Sequence, residues 1–311
     1  MKARQRLSDS RRIIVCVLAL CAIGLVATAQ VTQDEGTTRN LWDTAFNTTK
    51  RKPSRSGSVA ARGNYRVATP RVPAEGVSGD SVVGVTVWRL RPSREADDGE
   101  RLMVHEGSDA AGWIPERVPG NAGLSEGDRV RLSVEAARTG YLYVIDREQY
   151  ADGTVGEPYL IFPTTRTLGG DNRVKAGRLV DIPAQEDGPP FFTLRRSRAD
   201  QVGELLSVIV TPAPLDELRI GAQAQRLSAE RVARWEKSWG GQAGRLELSD
   251  GAGKVWTKEE REAGASAARL LKASAPGPQT LYYRPGVKAD EPLLIKVQLQ
   301  YRRRAPRTAR R

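Results

Sequence analysis

The chain has 311 residues, 39% of them apolar and 28% charged, with 49 Lys and Arg against 37 Asp and Glu for a formal charge of +12. The apolar share is enough for a packed core and excludes disorder over most of the length. A single histidine, His105, and two cysteines, Cys16 and Cys21, exclude most histidine and thiol chemistry.

The first twenty-nine residues have the three parts of a secretory signal. Met1 to Arg12 carries five basic residues and one acid, and Ile13 to Ala29 carries no charge. Ala27 and Ala29 then place small residues where a signal peptidase cuts. The uncharged run is at the short limit for spanning a bilayer, so an uncleaved anchor is the weaker reading. The expectation is export, periplasmic or extracellular, by the general secretory route. Ser10-Arg11-Arg12 leaves the twin-arginine route as the second option. Leu20 before Cys21 argues against lipidation. Cleavage after Ala29 would leave no cysteine, hence no disulfide and no thiolate metal site.

Residues 30–76 read as a disordered basic linker, rich in Thr, Ser, Arg, Pro and Gly, with Leu41, Trp42 and Phe46 as its one apolar spot. The last ten residues hold six arginines and no acid, namely Arg302, Arg303, Arg304, Arg307, Arg310 and Arg311. This segment, 302–311, reads as a disordered tail able to bind an anion. Between the ends, residues 76–301 carry thirty basic and thirty-two acidic residues, so the basic character belongs to the termini.

Residues 77–301 read as one mostly β domain, an antiparallel sandwich or barrel-like fold with a small insertion of two helices at about 215–275. Val82 to Leu90 is β-branched and stops at Pro92. Arg129 to Glu135 alternates, with Val130, Leu132 and Val134 on one face, and predicts a half-buried strand. Tyr141 to Ile145 is apolar on both faces and predicts a central strand. Asp152-Gly153 is a turn, and Tyr159 to Phe162 ends at Pro163. Gly177 to Ile182, Phe191 to Leu194 and Leu205 to Val210 are the next strands. Ser228 caps a helix with Val232, Trp235 and Trp239 on one face, Leu227 as a staple and Gly240-Gly241 as its end. Thr257 to Glu260 is a capping box opening a second helix that runs to about Lys272. Leu246 and Leu248 are expected to pair with Val255. Leu293 to Tyr301 alternates as the last strand.

Gly127-Asp128, Gly140 to Tyr143, Asp152-Gly153, Leu160-Ile161-Phe162-Pro163, Asn172, Ala176-Gly177 and Ile182-Pro183, in that order, resemble the bacterial domain-of-unknown-function family numbered four-three-eight-four. The resemblance covers about residues 82–214. It implies an exported bacterial β domain, sometimes attached to caspase-like peptidase domains or other envelope modules, and no particular reaction. The chain departs from the pattern at Thr164, where Asn or Asp often stands, and in its helical segment and Arg tail.

Few residues suggest chemistry. His105 lacks a second histidine for a zinc helix, and Gly107 interrupts the pattern. Gly169-Gly170-Asp171-Asn172 is a turn without the Lys-Ser/Thr of a phosphate loop. Asp146, Glu148 and Asp152 are the candidate carboxylates, for glycoside cleavage or Ca²⁺, with a solvated acidic turn as the plainer reading. Tyr150 and Tyr159 join Asp146 and Asp152 as candidate ligand contacts. No metal or other cofactor is expected. The favoured reading is a non-catalytic exported binding or adaptor module of the cell envelope. Its expected partner is an envelope protein or an anionic envelope polymer, with nucleic acid disfavoured and the membrane touched only through the signal. A carboxylate-dependent hydrolase and an accessory subunit of a separate peptidase are the alternatives.

Overall fold

The computed structural model describes residues 81–302, except for 96, 98–99, 107–108, 217, 249–250, 267–268 and 272–274. The signal, the linker and the tail beyond Arg302 lie outside the described residues. In chain order the elements are β1 (Val82–Pro92), β2 (Leu102–Glu106), β3 (Asp109–Arg117), β4 (Arg129–Ala136) and β5 (Gly140–Tyr150). Then come β6 (Tyr159–Phe162), β7 (Arg173–Val174), β8 (Leu179–Ile182), β9 (Phe192–Thr193) and β10 (Gln201–Thr211). The last are β11 (Gln225–Arg226), α1 (Ala229–Trp239), β12 (Gly244–Glu247), α2 (Lys258–Gly264), β13 (Thr280–Tyr283) and β14 (Leu293–Gln300).

The strands form an eight-stranded and a six-stranded sheet, antiparallel throughout. In the first sheet, β1 and β4 lie side by side along their length. On the far side of β1, β13 takes the first half and β3 the second; beyond β4 lie β8 and β9. The second sheet runs β11-β6-β5-β10-β14, with β7 also on β5. The fold is therefore a β-sandwich with a small helical insertion.

Alternation builds the core. Val83, Val85 and Val87 of β1 sit opposite Ala136, Val134 and Leu132 of β4. These face Leu142 and Val144 of β5, Leu206, Val208 and Val210 of β10, and Ile295, Val297 and Leu299 of β14. Helix α1 covers the outer face of the second sheet, where Leu227, Val232, Trp235 and Trp239 pack on Tyr143, Ile145, Ile209 and Leu294. Ser228 caps it by accepting from the Arg231 amide, as its sequence predicts.

Three sequence readings need correction. First, β4 is buried on both faces. Arg131, Ser133 and Glu135 are covered because Trp256, α2 and the chain after it form a second layer outside the first sheet. Arg131 pairs there with Asp181 at 2.9 Å. Second, α2 has its capping box but ends at Gly264, not near Lys272. Gly264 abuts Asp181, and the following chain lays Leu271 and Ala275 against Leu179. Third, Leu246 pairs with Leu281 of β13, and Val255 bridges Glu116, so the proposed hairpin does not form. Strands β2, β3, β7, β11 and β13 have no counterpart in the sequence reading.

A candidate functional site: buried carboxyls and an open groove

Asp146, Glu148 and Tyr150 alternate onto one face of β5. The register sets Glu204 of β10 opposite Glu148 and Tyr159 of β6 opposite Asp146, so all five share that face. Asp152 is elsewhere. It lies in the exposed turn closed by Gly153 (φ 84°), where its Oδ1 accepts from the Thr154 hydroxyl at 2.6 Å and amide at 2.9 Å. Those bonds hold its carboxyl below the usual range. The sheet thus brings Asp146, Tyr150 and Tyr159 to one face and leaves Asp152 as a turn residue.

The carboxyls differ in what satisfies them. Glu148 Oε2 accepts from the Tyr150 hydroxyl at 2.5 Å and the Ser197 hydroxyl at 2.7 Å. Glu204 Oε1 accepts from the Gln201 amide at 2.8 Å and the Tyr301 hydroxyl at 2.5 Å. Asp146 Oδ1 and Glu204 Oε2 are buried with no hydrogen-bond partner. Burial pushes Asp146 up to about 7 and Glu204 up to about 8, and for Glu204 the Asp146 charge adds to the effect. The Tyr301 phenol is raised too, by burial first and Glu204 second. Two arginines beside these side chains serve other groups. Arg198 lies over the Tyr150 ring at 3.9 Å, and Arg196 over Tyr301 at 5.0 Å while donating to the Gln201 carbonyl. Glu204, Gln201 and Tyr301 were missed in the sequence because the sheet, not chain proximity, brings them to Asp146. The signal that could have found Glu204 is the one charged residue inside the largely apolar strand β10.

An open groove of about 430 Å³ lies at the other edge of the second sheet from β14. Its apolar wall is Ile161, Pro183, Pro189, Phe191 and Phe192. Residues 222–224 and the hydroxyls of Thr164, Thr167 and Thr193 complete it. The charged residues there are already used by the fold. Asp187 accepts from the Thr167 hydroxyl at 2.5 Å and the Ala184 amide at 2.9 Å, and Arg166 donates to the Gly188 carbonyl. Phe191 also stacks beneath Arg129, whose guanidinium lies 4.6 Å from that ring and 4.2 Å from Trp113. Asp146 and Glu204 do not line this groove. The motifs Phe162-Pro163-Thr164 and Ile182-Pro183, read from sequence as strand ends, turn out to border it.

Among the described residues no group of three or more His, Cys, Asp and Glu is arranged to hold a metal. No described helix is long and apolar enough to cross a membrane. The backbone of His105 is in β2. Arg302, expected at the start of a free tail, is tied to the fold: its amide donates to the Leu124 carbonyl at 2.7 Å and its Nε to the Gly123 carbonyl at 2.8 Å. Arg303, Arg304, Arg307, Arg310 and Arg311 lie outside the described residues. Compared with family models, with curated proteins and with solved structures, the chain finds no match.

Proposed function

We propose that the chain is a non-catalytic binding module of the bacterial cell envelope, exported through residues 1–29 and holding its ligand in the groove beside β6 and β9. The observation that carries this reading is the groove's make-up. It offers Phe192, Pro183, Pro189 and Thr193 to a ligand, while Thr164, Thr167, Asp187 and Arg166 are spent on its own walls. That is a surface for apolar contact and hydrogen bonding. The Arg-rich tail supplies a sequence-independent attraction to anionic envelope polymer. The family resemblance over residues 82–214 supports the same reading, with an accessory role beside a separate peptidase as its narrower form.

A sedimentation assay on purified envelope fractions tests it. Phe192→Ala should lower retention while the chain still melts as one cooperative unit, although Phe192 also packs in part on the core, and removal of residues 303–311 should lower it at low salt only. Retention equal to wild type in both variants would remove the proposal. A second reading, a carboxylate-dependent hydrolase, is favoured by one observation, the raised carboxyls of Asp146 and Glu204. Hydrolysis of a glycan or peptide panel that survives both Asp146→Asn and Glu204→Gln would exclude that assignment.

A further inference from the structure

Just before β8, Arg178 is buried without a counter-charge, its side chain 6% exposed. Arg117 and Arg131 are buried to the same degree, and each pairs with a carboxylate, Glu260 and Asp181. Among the described residues Arg178 has no such partner. Its Nη1 donates to the Arg173 carbonyl at 2.8 Å, and its Nε is buried with no hydrogen-bond partner. Burial lowers its pKa from the ordinary value, and the charge of Asp171 opposes that shift without forming an ion pair. A buried guanidinium left unpaired is costly, and an orphaned donor of this kind asks for an acceptor from outside the chain.

The turn that carries Arg178 is fixed in place. Its amide donates to the Lys175 carbonyl at 3.0 Å, and Gly177 (φ 76°) closes the turn. The Gly177 amide donates to the Ala136 carbonyl at 2.9 Å and the Ala176 amide to the Thr139 hydroxyl at 3.3 Å, which ties the turn to the connection between β4 and β5. Arg173 and Lys175 stand exposed on the same turn, and neither is in an ion pair among the described residues. The Arg173 guanidinium lies 6.0 Å from the Tyr141 ring. The one acid of residues 171–178 is Asp171, whose Oδ1 accepts from the Arg173 amide at 3.0 Å. Three cations against one acid leave two positive charges on the turn.

We infer that the turn between β7 and β8 binds a phosphoryl group, with Arg178 as its buried anchor and Arg173 and Lys175 as its surface contacts. A guanidinium presents a planar fork of donors that matches two phosphoryl oxygens, and Lys175 adds a compact point charge. With Nη1 held by the Arg173 carbonyl, Nε and Nη2 are the donors left for the ligand. Two unbalanced positive charges match a phosphomonoester or inorganic phosphate, which carries nearly two negative charges at neutral pH, better than a single carboxylate. The group arrives either as a soluble phosphate or on a lipid headgroup. None of the three residues lines the groove, so the inference does not rest on the groove being a site.

The test titrates inorganic phosphate into the full chain by calorimetry, at constant ionic strength in chloride. Wild type should show saturable binding. The basic ends of the sequence also attract anions, so the turn is read from the difference between wild type and variants. Arg178→Met removes the unpaired charge and should weaken phosphate binding about ten-fold while the chain still melts cooperatively. If that variant fails to fold, Arg173→Gln with Lys175→Gln changes exposed side chains alone and should weaken binding by a similar factor. Sedimentation with phosphatidylcholine vesicles, with and without phosphatidic acid, separates the two sources. Retention that needs both phosphatidic acid and Arg178 assigns the site to a lipid headgroup, and phosphate binding without such retention assigns it to a soluble phosphate. Equal binding by wild type and the variants would overturn the inference. So would acetate binding as tightly as phosphate, or the absence of both saturable phosphate binding and Arg178-dependent retention.

Discussion

Arg131 and Asp181 form an ion pair whose side chains are 0% and 1% exposed, Nη2 to Oδ2 at 2.9 Å, on the outer face of the first sheet. Asp181 is held further by the Ser133 hydroxyl at 2.6 Å and the Gln185 amide at 2.9 Å, and Trp256 lies over the guanidinium at 5.3 Å. Arg131 Nη2 also donates to the Pro183 carbonyl, but its Nε and Nη1 have no partner. The guanidinium therefore depends on Asp181 for neutralisation. Asp181→Asn should destabilise by about 3–5 kcal/mol, because it strands a buried charge. The double change Arg131→Met with Asp181→Leu should recover most of that loss. Urea denaturation of the three variants measures both effects. A single variant within about 0.5 kcal/mol of wild type would show that the pair is not coupled to folding.

Gly264 depends on the same aspartate. A Cβ there would fall 2.1 Å from Asp181 Oδ2, and the carboxylate is fixed by its three partners and cannot swing away. Gly264→Ala should lower stability by about 2 kcal/mol. In an Asp181→Ala background the same change should cost little. The interaction term of that double-mutant cycle isolates the contact from helix propensity.

The capping box of α2 makes a milder, local prediction. Thr257 accepts from the Glu260 amide, and the Glu260 side chain accepts from the Thr257 amide at 2.9 Å. Glu260 is also the buried partner of Arg117. Thr257→Ala should cost about 1 kcal/mol. Glu260→Gln should cost more, on the order of 2–3 kcal/mol, because it also leaves Arg117 without its carboxylate. Thermal melts that rank the two variants the other way would place the stabilisation in the cap and not in the ion pair.

Elements read from local pattern are present where the pattern is strong. The alternation of Val130, Leu132 and Val134 and of Leu293 to Tyr301 marks β4 and β14, and Ser228 and Thr257 mark both helix starts. Elements set by distant partners were not legible. Leu246 has an apolar neighbour in Val255, yet it pairs with Leu281 because β13 is already anchored on β1. The end of α2 falls at Gly264, a residue whose missing Cβ leaves room for Asp181; the glycine is a local stop signal, but its contact with Asp181 is not readable from the sequence. The polar face of β4 looks solvated from its sequence. It is buried because Asp181, Trp256 and α2 arrive from elsewhere in the chain to satisfy Arg131 and Ser133. At the candidate site, chain proximity suggested Asp152 as the companion of Asp146, whereas the sheet supplies Glu204. The groove is assembled from three separate loops, so Phe191 and Phe192 read in the sequence only as a strand and Pro183 only as a strand end.

The carboxyls of Asp146 and Glu204 predict an unusual pH profile. Their ordinary values are 3.8 and 4.5, and in the folded chain they are raised to about 7 and about 8. Burial is the main cause. Glu148 works in the same direction on both, while the Tyr301 and Gln201 hydrogen bonds oppose the rise at Glu204. Between about pH 4.5 and pH 8 the folded chain therefore holds protons that the unfolded chain has lost, so stability must fall as pH rises through this window. The contribution is fully present below the lower values and is lost above the raised ones. The fall across the window should amount to several kcal/mol. Glu204→Gln keeps an acceptor for Tyr301 and Gln201 but removes the titration. It should match wild type near pH 4.5, be more stable than wild type at pH 8, and show a shallower slope between. Asp146→Asn should act in the same direction. Urea midpoints at half-unit intervals from pH 4.5 to pH 8.5 give the comparison. A wild-type stability that rises with pH over this range would mean that both carboxyls are ionised and paired in the folded chain, contrary to their buried, partnerless oxygens.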